Sequence, residues 1–121
     1  MVVGVGIDMV APRKIEEAIK KWGSSFIDRV FNPEEVKPIQ EGKVYYQRLA
    51  ARFAAKEAVI KALGKNHSLA LKDIVITNLP SGAPVCSFKK DINIGVLISI
   101  THIEEYAVAT AVAQSKVESR E

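Results

Sequence analysis

From Val2 to Val10 the chain alternates with a period of two. Val3, Val5, Ile7 and Met9 fall on one face of a strand, and Gly4, Gly6 and Asp8 on the other. Glycine weakens a strand, so two on one face point to close approach of a ligand or another backbone. Asp8 stands at the end of that cleared face. Over residues 12–22 the period becomes helical, with Ile15, Ala18, Ile19 and Trp22 on one side, Pro12 in the first turn and Gly23 as the stop. The other side carries Arg13, Lys14, Lys20 and Lys21 among Glu16 and Glu17, either a solvated surface or a docking surface for an acidic protein. A mixed stretch from Phe26 to Phe31 precedes Asn32-Pro33-Glu34-Glu35. This reads as an N-cap, a first-turn proline and two carboxylates that complement the helix dipole. Pro38 keeps that helix short.

The strongest helical pattern runs from Val44 to Leu63 and ends at Gly64. Leu49, Phe53, Ile60 and Leu63 share one stripe at 100° per residue. Lys56 falls within the stripe, while Glu57 and Lys61 lie one turn apart on its flank. Ala50, Ala51, Ala54, Ala55, Ala58 and Ala62 fill much of the rest. Small residues let other backbones come close, so this helix is expected to be covered on most sides, and its charges to be paired or liganded. The simpler alternative is an i,i+4 Glu–Lys pair of small energy. Beyond Gly64 the pattern predicts strands at 74–79 and 85–88 around a Pro80–Pro84 turn, then at 95–101 and 106–113. In the third, Val96, Ile98 and Ile100 alternate against Leu97, Ser99 and Thr101. In the last, Val108 and Val112 face away from a row of alanines. Residues 114–121 read as a polar, frayed tail. The chain contains no repeat and no internal domain boundary.

A length of 121 residues allows one domain and leaves a large surface uncovered, which keeps self-association in view. With 48% apolar and 26% charged residues, wholesale disorder is excluded. The single cysteine, Cys86, excludes an internal disulfide framework and a multi-cysteine metal site, and fits a reducing compartment. No run approaches the roughly 18 apolar residues of a membrane span, and the N-terminus lacks the features of a signal peptide. A cytosolic (cytoplasmic) protein is expected. Seventeen basic against fourteen acidic residues give a net charge of +3, which suits an acidic partner but argues little for nucleic acid.

Asp8 and Glu57 are the main chemical candidates. If they converge, they make a site for a hard cation such as Mg²⁺, which takes one or two carboxylates and fills its other positions with water and substrate phosphates. Lys56 and Lys61 flank Glu57 and could neutralise the same phosphates, and Arg52 adds a planar donor. That combination reads as metal-assisted phosphate chemistry. Other chemistries find little support. His67 and His102 are too distant in sequence to suggest a ligand pair, and there is no HExxH, no Walker loop and no third glycine after Gly4-x-Gly6. At 7% aromatics a base-stacking platform is thinly supplied. Cys86, in a strand, reads as a buried inert thiol.

Four segments resemble the holo-acyl-carrier-protein synthases, the small bacterial type of 4′-phosphopantetheinyl transferase. They are Gly4–Val10, Phe26–Glu35, Ala51-Arg52-Phe53-Ala54-Ala55-Lys56-Glu57-Ala58 continuing to Lys61-Ala62-Leu63-Gly64, and Ser99-Ile100-Thr101-His102 with Tyr106–Ala109. The third is the most specific, and the Gly82-x-Pro84 turn also fits. The resemblance implies an α+β fold over residues 1–121, with an antiparallel sheet packed by one long helix and short helices. It implies transfer of the 4′-phosphopantetheine arm of coenzyme A to a serine of apo-acyl carrier protein, with adenosine 3′,5′-bisphosphate leaving, in fatty acid biosynthesis. The family's metal ligands map onto Asp8 and Glu57, and either could relay the serine proton through a water. Lys61 would balance charge on the diphosphate. Arg52, Thr101 and His102, with backbone from Gly82 and Pro84, would hold the nucleotide end. Carrier docking falls to Arg13, Lys14, Lys20 and Lys21, although the family's first-helix Arg is Lys14 here and loses forked recognition. A homotrimer with shared active sites is implied. The competing readings are a non-catalytic nucleotide or RNA-binding module and a structural oligomer with a charged core pair.

Overall fold

In the computed structural model, residues 1–42 and 44–116 are described. The chain runs β1 (Val2–Val10), α1 (Pro12–Trp22), α2 (Ser24–Val30), α3 (Pro33–Val36), α4 (Tyr45–Leu63), β2 (Ile74–Asn78), β3 (Pro84–Phe88), β4 (Ile94–His102) and β5 (Ala107–Ser115). The fold is α+β. One antiparallel sheet has the order β1-β5-β4, and β2 and β3 form a separate hairpin. Local signals set the helix ends. Pro12 opens α1, and Gly23 and Gly64 close α1 and α4 at φ 62° and 74°, a left-handed region that suits glycine.

The inner face of the larger sheet is graded. Opposed residues form the rows Gly4–Ala113–Val96, Gly6–Ala111–Ile98 and Asp8–Ala109–Ile100. Side chains are thus absent or short at β1, single methyls at β5 and branched at β4. This makes a trough into which α4 settles, leaning toward β1. A Cβ on Gly4 would overlap the Ala62 carbonyl oxygen, and one on Gly6 the Ala58 carbonyl oxygen. The glycines therefore admit the helix backbone, not a ligand. Ala54, Ala55 and Ala58 of α4 and Ala109, Ala111 and Ala113 of β5 are fully buried. The alanine surfaces cover each other within one chain, so they are not in themselves signs of assembly.

The alternation in β1 has the opposite sense from a surface strand. Its glycine face is buried, while Val5, Ile7 and Met9 are 66%, 58% and 62% exposed. A second core gathers Ile15, Val30, Phe31, Leu49 and Ala107, holding α1 and α2 on the first half of α4. Gln114 and Ser115, expected in the tail, complete β5 against β1 and β4. Residues 117–121 of that tail lie outside the described residues.

Candidate functional site

Two residues along a strand advance about 6.6 Å, nearly the same as one helical turn of about 5.4–6 Å. Gly4 meets the helix at Ala62 and Gly6 at Ala58, so Asp8 comes level with the next turn, beside the flank that carries Glu57 and Lys61. Lys61 Nζ lies 3.2 Å from Asp8 Oδ1 and donates to the Ile7 carbonyl at 2.8 Å. Burial raises the Glu57 pKa above the ordinary carboxylate range, the Asp8 charge raises it further, and Lys61 opposes both. Residues 8 and 57 therefore share one electrostatic neighbourhood on two rigid elements. Two carboxylates beside a single ammonium fit Mg²⁺, whose other oxygens come from water and phosphate.

A second cluster lines a cleft of about 540 Å³. Arg48 and Arg52 enter from α4, Asn78 from the end of β2, Gly82 from the following turn, Pro84 from the start of β3, and His102 from the end of β4. The Arg52 guanidinium donates through Nη1 to the Glu35 carbonyl and through Nη2 to Asn78 Oδ1 at 2.7 Å. Asn78 Nδ2 in turn donates to the Gly82 carbonyl at 2.9 Å. Gly82 has φ 95°, which only glycine adopts freely, and its N–H closes the turn on the Leu79 carbonyl at 2.8 Å. Arg48 and Asn78 are additions to the residues expected from sequence. Arg48 was signalled by standing one helical turn before Arg52, and Asn78 by preceding a Pro-Ser-Gly turn, where asparagine often bonds nearby backbone.

The two clusters are not joined within one chain. Asp8 and Ile100 occupy the same inner row with Ala109 between them, so they are two strand spacings, about 10 Å, apart. Helix α4 lies over that alanine strand. Asp8, Glu57 and Lys61 fall on one flank of it, and Arg48, Arg52 and His102 on the other. Thr101 joins neither cluster. It pairs with Val108 on the outer face of the sheet, whereas His102 pairs with Ala107 on the inner one.

Lys56 does not serve phosphate. Its side chain is fully buried, with Nζ 2.7 Å from Glu35 Oε1 and donating to the carbonyls of Val30, Ile74 and Leu71 at 2.7, 2.7 and 3.1 Å. Burial lowers its pKa, and the Glu35 contact opposes that shift. Glu35 is likewise more than a dipole partner at the start of α3. Oε1 accepts the Asn32 N–H at 2.7 Å and Oε2 accepts the Ile76 N–H at 2.6 Å. Three segments distant in sequence thus meet at one carboxylate. On α1, Arg13, Lys14, Lys20 and Lys21 are exposed. Lys20 pairs with Glu16 at 2.8 Å and Arg13 with Glu17 at 3.9 Å.

A family model described as the 4′-phosphopantetheinyl transferase superfamily matches residues 4–111. The chain is 38% identical to the holo-[acyl-carrier-protein] synthase of Desulforudis audaxviator (strain MP104C), covering 99% of this chain and 98% of that protein. It is 41% identical to that of Thermodesulfovibrio yellowstonii, covering 93% and 98%. Among solved structures, the holo-(acyl-carrier-protein) synthase of Bacillus anthracis str. Ames in complex with CoA (3′,5′-ADP) superposes with a TM-score of 0.83. The two are 33% identical, and the match covers 95% of this chain and 98% of that one. The Helicobacter pylori synthase in complex with coenzyme A gives a TM-score of 0.76 at 29% identity, covering 91% and 99%.

Proposed function

The chain belongs to the 4′-phosphopantetheinyl transferase superfamily, and on that premise we propose that it is a holo-[acyl-carrier-protein] synthase. It moves the 4′-phosphopantetheine arm of coenzyme A to a serine hydroxyl of an apo-acyl carrier protein and releases adenosine 3′,5′-bisphosphate. The observation that carries this reading is the meeting of Asp8, Glu57 and Lys61 on one flank of α4. Asp8 and Glu57 would hold Mg²⁺, which when bound offsets charge on the diphosphate and orients it for displacement. Lys61 sets an ammonium beside the same oxygens. The serine Oγ bonds to the β-phosphorus as the bond from that phosphorus to the bridging oxygen breaks. The bridging oxygen leaves with the nucleotide. Burial and the Asp8 charge raise the Glu57 pKa, which makes its ionised carboxylate a better proton acceptor, so Glu57 would take the serine proton through a water. Arg52, His102 and the Gly82–Pro84 backbone hold the nucleotide end.

The division of the site supports an assembly in which neighbouring chains share it. Each chain carries the acidic flank and the Arg52 cleft on opposite sides of α4, and the apolar outer face of β1 is exposed. A head-to-tail contact would let one chain's acidic flank meet the next chain's cleft, and such contacts form a ring where the rotation between chains closes. A homotrimer fits this, with Thr101 on the outer face positioned to act across the boundary. The exposed basic face of α1 is the docking surface for the acidic carrier. No helix among the described residues is long and apolar enough to cross a membrane. The kinship with holo-[acyl-carrier-protein] synthases supports a cytoplasmic reaction in fatty acid biosynthesis.

The test is incubation of the chain with coenzyme A, Mg²⁺ and apo carrier protein, followed by intact-mass measurement of the carrier. The carrier gains one phosphopantetheine mass. Chelation or Asp8→Asn abolishes the gain while the protein stays folded. An unmodified carrier with folded enzyme refutes the transferase reading. Nucleotide binding without transfer would instead favour the binding-module reading. Sedimentation equilibrium gives the mass of three chains if the assembly is correct and of one if it is not.

A further inference from the structure

The Arg52 cleft contains a side chain that the transfer chemistry does not use. We propose that Asn78 is a positioning residue, tying the Arg52 guanidinium to the Gly82 turn and so presenting the remaining Arg52 donors to coenzyme A. This rests on the transferase reading for the identity of its ligand. Asn78 stands at the end of β2, where its Oδ1 accepts from Arg52 Nη2 at 2.7 Å and its Nδ2 donates to the Gly82 carbonyl at 2.9 Å. A primary amide carries both an acceptor and donors, so one short side chain satisfies both contacts. A carboxylate would repel the Gly82 carbonyl, and an alkyl group would make neither bond.

The other side of the guanidinium is fixed as well. Nη1 donates to the backbone carbonyl of Glu35, whose own side chain is anchored by Lys56 and by the Ile76 N–H. Arg52 is therefore held in its plane by a rigid core residue on one side and by Asn78 on the other. A guanidinium has five N–H donors, and those not engaged by Glu35 and Asn78 remain for an anion. A fixed plane favours bidentate phosphate recognition, because little side-chain freedom is then lost on binding. Arg48 and His102 line the same cleft and add positive or donor character around that position. Asn78 itself is exposed, so replacing it alters stability little. This separates a role in ligand binding from a role in folding.

The test is a kinetic double-mutant cycle. Asn78→Ala should raise the KM for coenzyme A roughly tenfold, the scale of a hydrogen bond to a charged group. The kcat and the KM for the carrier should stay near the parent's. Asn78→Ser, which keeps a short acceptor, should fall between the two. In an Arg52→Ala background the same Asn78→Ala change should add less than about twofold, because the group it positions is already gone. Calorimetric binding of adenosine 3′,5′-bisphosphate to the same proteins reads the clamp without any transfer step. A parent-like KM and affinity in folded Asn78→Ala overturns the proposal, and so does a full tenfold effect that survives in Arg52→Ala. If the parent chain binds the bisphosphate yet transfers nothing, the transferase reading fails, while a tenfold affinity loss in Asn78→Ala still supports the clamp. A parent chain that neither binds nor transfers overturns both.

Discussion

Replacing Lys56 with methionine removes a charge from the centre of the molecule while filling nearly the same space. The Lys56 and Glu35 side chains are both 0% exposed and lie 2.7 Å apart. Methionine is apolar and similar in length, so the cavity penalty is small. What is lost is the counter-charge of Glu35, whose carboxylate then keeps only the Asn32 and Ile76 N–H groups and the Asn32 amide. Removing one partner of a buried ion pair costs about 3–5 kcal/mol. The carbonyls of Val30, Ile74 and Leu71 also lose a donor. A domain of this kind has a total stability of about 5–15 kcal/mol, so Lys56→Met should remain folded in buffer with a much reduced margin. Urea unfolding followed by circular dichroism should show a lower midpoint at unchanged slope. The melting temperature should fall by about 10–20 °C. Pairing the change with Glu35→Gln removes the stranded charge and should recover about 1–3 kcal/mol as coupling energy. A Lys56→Met protein within about 0.5 kcal/mol of the parent, the range of an ordinary surface change, would refute the buried-pair account.

Three further outcomes follow from the geometry. Burial and the Asp8 charge let folded Glu57 keep its proton above the ordinary value of 4.5, so in metal-free protein its contribution to stability declines as pH rises from there through the folded value. Divalent binding needs the ionised form, so it should strengthen over the same window with proton release, read by calorimetry in buffers of different ionisation enthalpy; a pH-independent affinity would contradict this. Gly6→Ala places a methyl on the Ala58 carbonyl oxygen, so α4 must lift from β1; stability should drop by about 1–3 kcal/mol and transfer should fall as Glu57 moves from Asp8, whereas an unchanged melting point would disprove the close approach. The Cys86 thiol, pushed up to about 12 by burial, should resist iodoacetamide at pH 8 in native protein and react once unfolded, as mass spectrometry would show.

Much of the framework is legible in the chain because it depends on neighbours in sequence. Pro12, Gly23 and Gly64 mark helix ends through local sterics, and the observed α1 spans the expected residues 12–22. Helical spacing sets Glu57 and Lys61 on one flank of α4, and strand alternation sets Asp8 on the glycine face of β1. The outer position of Thr101 was legible too, since adjacent strand residues face opposite ways; the motif around it drew it into one group with His102. The fate of Lys56 was not. An ammonium on a covered helix needs an acceptor, and its acceptor, Glu35, arrives from a separate helix whose own sequence is satisfied by a dipole reading.

The sense in which β1 packs belongs to the same class. Alternation distinguishes two faces and says nothing about which is buried. The glycine face turns inward because the α4 backbone can approach it closely, and the valine, isoleucine and methionine face is left open. Periods, caps and turns are written by interactions spanning a few residues, so they can be read from the chain alone. Which surfaces meet, which charges find partners, and how Asp8 and Arg52 come to lie on opposite flanks of one helix depend on contacts between segments far apart in the chain, and those exist only once α4 has settled across the sheet.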